Sequence, residues 1–495
     1  MSSSKSSPKR GDKNSFKPVS PFDLFYQLTY MSAMASAGLS RSKTFEIAAA
    51  SKSGAAAYFQ AVNTLVEEFR FDYPEACRRV GIKAKSDNMK SFLLRLSDAL
   101  RSGEPLAEFL AREAEVQGED YKNKYERDLE ALKQWTNAFS SIVISVALII
   151  IIQVISSMIY TMNQTVIGGL MFTGMALAGM GAWIIQRSAP REVMTIPASL
   201  GSAEQKRAMR LFRLLGPMAL IGSMVLTMLS IPFGWILIMD AALLMPIGVA
   251  SLMSDKKVIK KDIELSTFLR SVGGTASSSG TTLKQTLTRI DLSSFPMLEQ
   301  DITRLSTRLQ AMVDPEVCWH RFGQETGSRL ISEVSDIFYG AVKIGGDPER
   351  VGYLCSLFAS KTTQLRAKRR LTAGTFSGLT AVMQGVIAAL MIFMLSIVNN
   401  FAVMVTKLMP SSDSLNGQAA NLTMAQFSAS DLAFLSAVTT TMVVVLAVVS
   451  AIAIIFCGGG YKLKIAFYLS LTVLISGISF LVVPPMVAGI LTMTQ

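Results

Sequence analysis

Two kinds of pattern alternate along this chain of 495 residues. Seven mostly apolar stretches run over 138–160, 166–186, 211–231, 233–253, 374–398, 432–457 and 465–491. At about 1.5 Å of rise per residue, a helix of that length covers the ~30 Å hydrocarbon core of a bilayer. The backbone must satisfy its own hydrogen bonds there, so seven transmembrane helices are predicted. Small residues recur in them, as in GMALAGMGA (174–182), and let helices approach closely. The stretches 21–137 and 254–371 hold no such run. They repeat apolar positions at three and four instead: Met89, Phe92, Leu93, Leu96 and Leu100 line one face of a predicted helix. Alternating strand-type runs are absent. The expected fold class is all-α, a polytopic membrane protein with about seven transmembrane helices and two homologous cytoplasmic helical-bundle domains.

The two bundles read as copies. Gly38 in AMASAGLSRSKTFEIAAA (33–50) and Gly280 in GTASSSGTTLKQTLTRI (274–290) stand 242 residues apart. At nearly the same displacement PEACRRVG (74–81) meets PEVCWHRFG (315–323), and SGEPLAEFL (102–110) meets GGDPERVGYL (345–354). Three landmarks in order are the signature of an internal duplication. Each is also helix grammar. Asp314 is placed to cap a helix whose first residue is Pro315. In the first copy Asp72 stands one residue too early, and Tyr73 takes the cap position. Gly103 and Gly346 are expected to stop a helix, and Pro105 and Pro348 to start the next. The resulting division is a disordered basic tail (1–20), a first bundle of five or six helices (21–137) and four spans (138–253). A second bundle (254–371) and three spans with an outer loop at 399–431 (372–495) follow.

Charge then sets orientation. The regions 1–137, 187–213, 254–371 and 462–464 hold 47 of the 48 Lys and Arg, and with alternating spans they share one side. Basic loops stay in the cytoplasm, so the N-terminus and both bundles are predicted inside and the C-terminus outside the cell membrane. The composition agrees: 50% hydrophobic residues and a mean hydropathy of +0.38 exclude an ordinary soluble enzyme. The net charge of +12 needs no nucleic acid, because a basic face beside a membrane normally faces lipid. Arg366, Lys368, Arg369 and Arg370, directly before the fifth span, are expected in that role, as are Lys5, Lys9, Arg10, Lys13 and Lys17 of the tail if they are not simply solvated.

A duplicated helical cytoplasmic domain, each copy followed by spans, resembles the type II secretion system F-domain family. AGLSRSKTFEIA (37–48) and SGEPL (102–106) carry the resemblance in the first copy; SGTTLKQTL (279–287) and GGDPERV (345–351) carry it in the second. Seven spans and a basic tail are closer to the archaeal branch, the platform proteins of the archaellum and of archaeal type IV pili. The resemblance implies an integral-membrane platform that couples a cytoplasmic hexameric secretion ATPase to extraction of prepilin or archaellin subunits. Lifting a subunit's ~20 apolar residues out of the bilayer, at ~1–2 kcal/mol each, costs on the order of tens of kcal/mol. That work needs an external motor pushing on a rigid handle. The basic residues expected to receive the ATPase are Arg41, Lys43, Arg78 and Arg79 in the first copy and Lys284, Arg321 and Arg350 in the second. A solvated surface is the alternative for each. A homodimer is expected.

No catalytic, metal or cofactor site is legible. Cys77, Cys318, Cys355 and Cys457 show neither disulfide nor zinc spacing, and Cys77 and Cys318 read as buried small side chains. His320 is the only histidine. No phosphate loop occurs; SGTTLK (279–284) has the wrong spacing, and GGGYK (458–462) reads as a flexible turn. Ser40-x-x-Lys43 reads as a helix cap. Asp240, inside the fourth span, is costly there. It reads either as a contact for a subunit or a proton, or as a protonated or locally bonded carboxyl. Asn163 and Asn421 begin sequons on the predicted outer face, and Asn421 could carry a glycan. Two other function classes stay open. A secondary transporter would share internal repeats, with Pro246, Pro484 and Pro485 breaking helices. A membrane enzyme or sensor would need paired catalytic residues that the sequence does not display.

Overall fold

The computed structural model describes residues 16–159, 164–190, 192–197, 201–229, 231–408 and 429–492. Several helices begin where a side chain satisfies one of their first N–H groups. Ser20 caps α1 (Pro21–Ala35): its hydroxyl accepts from the Asp23 N–H at 3.1 Å, while Pro21 has no N–H to strand. Then come α2 (Arg41–Ala49), α3 (Ala56–Glu67), α4 (Tyr73–Ile82), α5 (Asp87–Ser102) and the long α6 (Leu106–Ile159). The chain continues through α7 (Gln164–Ser188), α8 (Ala203–Met228), α9 (Phe233–Ser279), α10 (Leu283–Arg289), α11 (Glu299–Gln310), α12 (Pro315–Glu325) and α13 (Arg329–Lys343). It ends with α14 (Pro348–Leu408), α15 (Ala429–Gly458) and α16 (Ile465–Thr492). Among the described residues there is no strand; Thr195 and Ser328 form one isolated antiparallel bridge.

Two compact units share these helices. The first is built from Met1–Tyr125, Lys260–Gly323 and Leu330–Gln364. Its α1–α5 part closes on a core of Leu24, Leu28, Phe45, Tyr58, Phe59, Phe92 and Leu96. The stripe from Met89 to Leu100 on α5 is buried there, as its spacing predicts. The chain joins the bundle earlier than expected. Phe16 stacks on Tyr58 with ring centroids 4.4 Å apart, and the Tyr58 hydroxyl donates to the Lys17 carbonyl at 3.0 Å. The same unit holds α10–α13 around Phe268, Trp319, Phe322 and Phe338, all at most 1% exposed. Here α9 and α14 touch backbone to backbone. A Cβ on Gly273 would stand 2.3 Å from the Pro348 carbonyl oxygen. Phe22, Phe25 and Tyr26 of α1 pack on Phe358 of α14, with Phe25 at 4.7 Å between centroids.

Helix starts recur along this unit. Arg41 and Leu283, Tyr73 and Pro315, Asp87 and Arg329, and Leu106 and Pro348 each stand 242 residues apart. The left-handed turns recur with them: Gly38 (φ 74) and Gly280 (φ 58), Arg70 (φ 57) and Met312 (φ 58), Gly103 (φ 78) and Gly345 (φ 98). Two expected boundaries change. Asp72, whose ψ of 157° is extended, is itself the residue before α4, so Tyr73 lies inside the helix; the Asp72 side chain makes no capping bond. After α13 it is Gly345, not Gly346, that turns left-handed, which lets the Gly346 N–H reach back to the Ala341 carbonyl at 3.0 Å.

The second unit comprises Glu126–Ile259, Gln324–Arg329 and Leu365–Gln495. Among the described residues seven helices, α6, α7, α8, α9, α14, α15 and α16, are long and apolar enough to cross a bilayer. The chain is a multi-pass membrane protein. Proline does not interrupt the spans: α9 runs through Pro246, and α16 runs through Pro484 and Pro485. The breaks that a secondary transporter would place at these prolines are absent from those helices; neighbouring helices can satisfy the freed carbonyls. Polar side chains inside the unit are used as ties. Gln384 of α14 donates to the Ser476 hydroxyl of α16 at 3.2 Å and to the Val443 carbonyl of α15 at 3.4 Å.

Candidate functional site

The basic residues expected to receive a partner all belong to the first unit, on α2, α4, α10, α12 and α14. Ser40 caps α2, accepting from the Lys43 N–H at 3.3 Å, so the Ser40–Lys43 pair is a helix start. Arg41 is exposed beside it, and Lys43 reaches forward to Glu46 at 2.8 Å. On α4, Arg78 and Arg79 are both exposed. Arg79 pairs with Glu75 at 2.7 Å and lies over the Phe71 ring at 3.9 Å; that ion pair pulls the Glu75 carboxyl below its ordinary range. Arg78 extends from the same turn without a place in that pair. In the 283–350 part, Arg321 and Arg350 are exposed, and Lys284 lies 3.3 Å from the Met312 sulfur. Met312 is 81% exposed on its left-handed turn, with Val313 and Val317 partly exposed nearby. Basic groups beside exposed apolar ones can hold an acidic protein surface, with the charges guiding approach and the apolar groups adding contact area.

His320 and Lys52 both face Asp336, at 3.5 Å and 3.7 Å. The thiols are different in kind. Cys77 is fully buried and its acid dissociation is pushed up to about 12 by burial; burial raises Cys355 as well. Neither offers a thiolate for chemistry. Among the described residues no group of three or more His, Cys, Asp or Glu side chains could hold a metal ion.

Two of the arginines expected to face lipid do something else. Arg366 is buried, and its guanidinium grips Glu192 through Nε at 2.8 Å and Nη2 at 2.6 Å. Arg369 is 3% exposed and donates to three backbone carbonyls: Cys457 at 2.9 Å, Pro190 at 2.9 Å and Phe456 at 3.1 Å. A guanidinium carries five donors in a fixed fork, and the last carbonyls of a helix have no helical partner, so each satisfies the other. Lys368 is exposed and paired with Glu126, and Arg370 is half-buried.

This fastening extends across the same end of the second unit. Asp255 of α9 accepts from the Lys464 ammonium at 2.7 Å and from the Tyr461 N–H at 3.1 Å. The Tyr461 hydroxyl donates to the Gln205 carbonyl at 3.3 Å, and Gln205 itself closes a capping box with Ser202. The Gln205 amide reaches the Gly327 carbonyl at 3.2 Å. The glycine turn 458–460 lies against Arg369 and Asp255. The Ser202-x-x-Gln205 spacing is a local capping signal, but Glu192 and Arg366 stand 174 positions apart and Asp255 and Lys464 stand 209 apart, and only the fold joins each pair.

Asp240 of α9 is half-buried, and its Oδ1 has no hydrogen-bond partner among the described residues. Asn163, Asn421, Lys5, Lys9, Arg10 and Lys13 lie outside the described residues.

Comparison with known proteins adds the following. Residues 28–154 match the family described as type II secretion system protein F. The match runs from within α1 into the first span. The chain is 26% identical over 343 residues to the flagella accessory protein J of Methanocaldococcus jannaschii, a match covering 66% of this chain and 60% of that protein. It is 22% identical over 335 residues to the flagella accessory protein J of Methanococcus voltae, with the same coverage. The chain thus matches about 60% of the length of these curated relatives. No solved structure matches it.

Proposed function

We propose, from the premise that this chain carries a type II secretion F domain in its archaeal form, that it is the membrane platform on which an archaellum or archaeal type IV pilus is assembled. The observation that carries the reading is the position of that domain. Its match ends inside α6, a single helix that starts in the bundle and continues as an apolar span. A platform needs such an element, because a push on the soluble part must reach subunits held in the bilayer. The helix α14 has the same form, beginning at Pro348 and running on to Leu408. The recurring displacement of 242 residues in helix starts supports reading 21–137 and 254–371 as two copies of one domain.

In this reading the platform has no catalytic site of its own. Both bundles lie in the cytoplasm, where a hexameric secretion ATPase docks on Arg41, Lys43, Arg78, Lys284, Arg321 and Arg350. Prepilin or archaellin subunits are drawn from the bilayer beside the spans. Lys43 and Arg79 take a smaller part, since their charges already serve Glu46 and Glu75. Two platforms form a homodimer.

The test uses full-length chain in membranes. Arg78→Glu and Arg321→Glu together should leave the chain inserted, abolish surface filaments and reduce retention of the ATPase, most strongly at low salt. Filaments of normal number and length in that strain, or in a strain lacking the chain, would refute the reading.

A further inference from the structure

Glu119 of α6 holds Lys361 of α14 at 2.7 Å, and Glu126 of α6 holds Lys368 of α14. Each pair is separated by 242 residues, the displacement that relates the helix starts and the left-handed turns. A residue meets its own counterpart only on the axis that relates two copies; elsewhere it meets a different position. Here two such meetings occur seven residues apart, and both advance in the same direction along the two helices. That spacing is two helical turns, so α6 and α14 run parallel and in register, as the strands of a parallel coiled coil do. The Lys361 side chain and the Phe25 ring of α1 both lie against α6 here. A Cβ on Gly118 would stand 3.1 Å from the Lys361 ammonium and 2.8 Å from the Phe25 ring. Further along, Phe139 and Phe376 meet edge-on with centroids 5.9 Å apart.

Between two identical helices paired in this way, each axis position would face itself. Glu119 would face Glu119, and Lys361 would face Lys361, and like charges in contact repel. Within one chain the two positions are separate residues and can carry opposite charges. These pairs are partly exposed, so their contribution to stability is small. Their weight lies in the comparison between partners, because discrimination comes from what the wrong pairing costs.

We propose that Glu119–Lys361 and Glu126–Lys368 are specificity-determining pairs on a pseudo-two-fold seam. They direct α6 onto α14 of its own chain and bar α6 from α6, and α14 from α14, of a second copy. Contact between two copies of this chain must then use another face. The inference rests on the helix geometry and stands or falls independently of the filament-platform reading.

Cross-linking in membranes tests it. In full-length chain carrying Glu126→Cys and Lys368→Cys, a short thiol-reactive linker should bridge the two cysteines within one polypeptide. Chains carrying either cysteine alone should give no linked pair of polypeptides. Adding Glu119→Lys should lower the intramolecular yield roughly five-fold. Adding Lys361→Glu to that chain should restore the yield. If the Glu119→Lys chain fails to accumulate, accumulation of the charge-swapped chain is the supporting result, and its failure too would overturn the proposal. Equally damaging would be an unchanged yield with Glu119→Lys, or ready linking of two polypeptides through Cys at position 126. None of these readouts depends on filaments.

Discussion

Arg369 shows how much a single side chain can carry. Its three carbonyl partners come from the end of α15 and from Pro190, groups that neither helix nor lipid would satisfy. From the sequence, the run 366–370 is a basic cluster ahead of a span, and lipid is the ordinary destination for such a cluster. Arg366 and Arg369 turn inward because partners that cannot otherwise be satisfied lie there. Cys77 makes the opposite case, since the sequence already reads it as a buried small side chain. Cys77 occupies the buried face of α4 between Ala76 and Val80. With its thiol dissociation raised to about 12 by burial, almost no thiolate exists at neutral pH. A maleimide at pH 8 should therefore leave Cys77 and Cys355 unmodified in the folded chain and label both in denaturant, as mass spectrometry of the peptides would show. Labelling of Cys77 in folded protein would mean that the α1–α5 core opens.

Among the elements, the connections at the charged end of the second unit matter as much as the spans. The turn between α15 and α16 is pinned by Arg369 on one side and by Asp255 on the other. Asp255 and Lys464 are both nearly buried, and each is the other's charge partner. Replacing one member of such a pair leaves a buried charge uncompensated, at a cost of ~3–5 kcal/mol. Arg369→Ala is expected to destabilise by about 2–5 kcal/mol, because several buried carbonyls lose their donors together. Arg369→Lys should recover only part, since one ammonium cannot span three carbonyls in a fixed fork. Thermal unfolding of the purified chain in detergent measures both. Equal midpoints for wild type and Arg369→Ala would show that water satisfies those carbonyls instead.

At the scale of the whole molecule, helices α6, α9 and α14 each contribute residues to both units. The distribution of Lys and Arg predicts which side each connection occupies. Single cysteines at Arg78, Arg321 and Lys462 should react with a membrane-impermeant reagent only after cells are opened. A cysteine at Asn421 should react in intact cells. Reaction at position 78 or 321 in intact cells would reverse the predicted orientation.

The sequence by itself determined the elements. Apolar runs of bilayer length have one way to satisfy their backbone, and the stripe on α5 has one buried face, so seven spanning helices and helical bundles followed from local pattern. Landmarks such as Gly38 and Gly280 could be aligned by eye because left-handed turns demand particular residues. Only the tertiary structure decided which charged residues are exposed. Arg366 and Arg78 look alike in sequence, yet one is buried on Glu192 and the other extends from α4. The same holds for Glu119 and Lys361, unremarkable until α6 and α14 lie in register. Burial of an ion depends on a partner supplied from a distant part of the chain, and no local periodicity encodes where that partner will be.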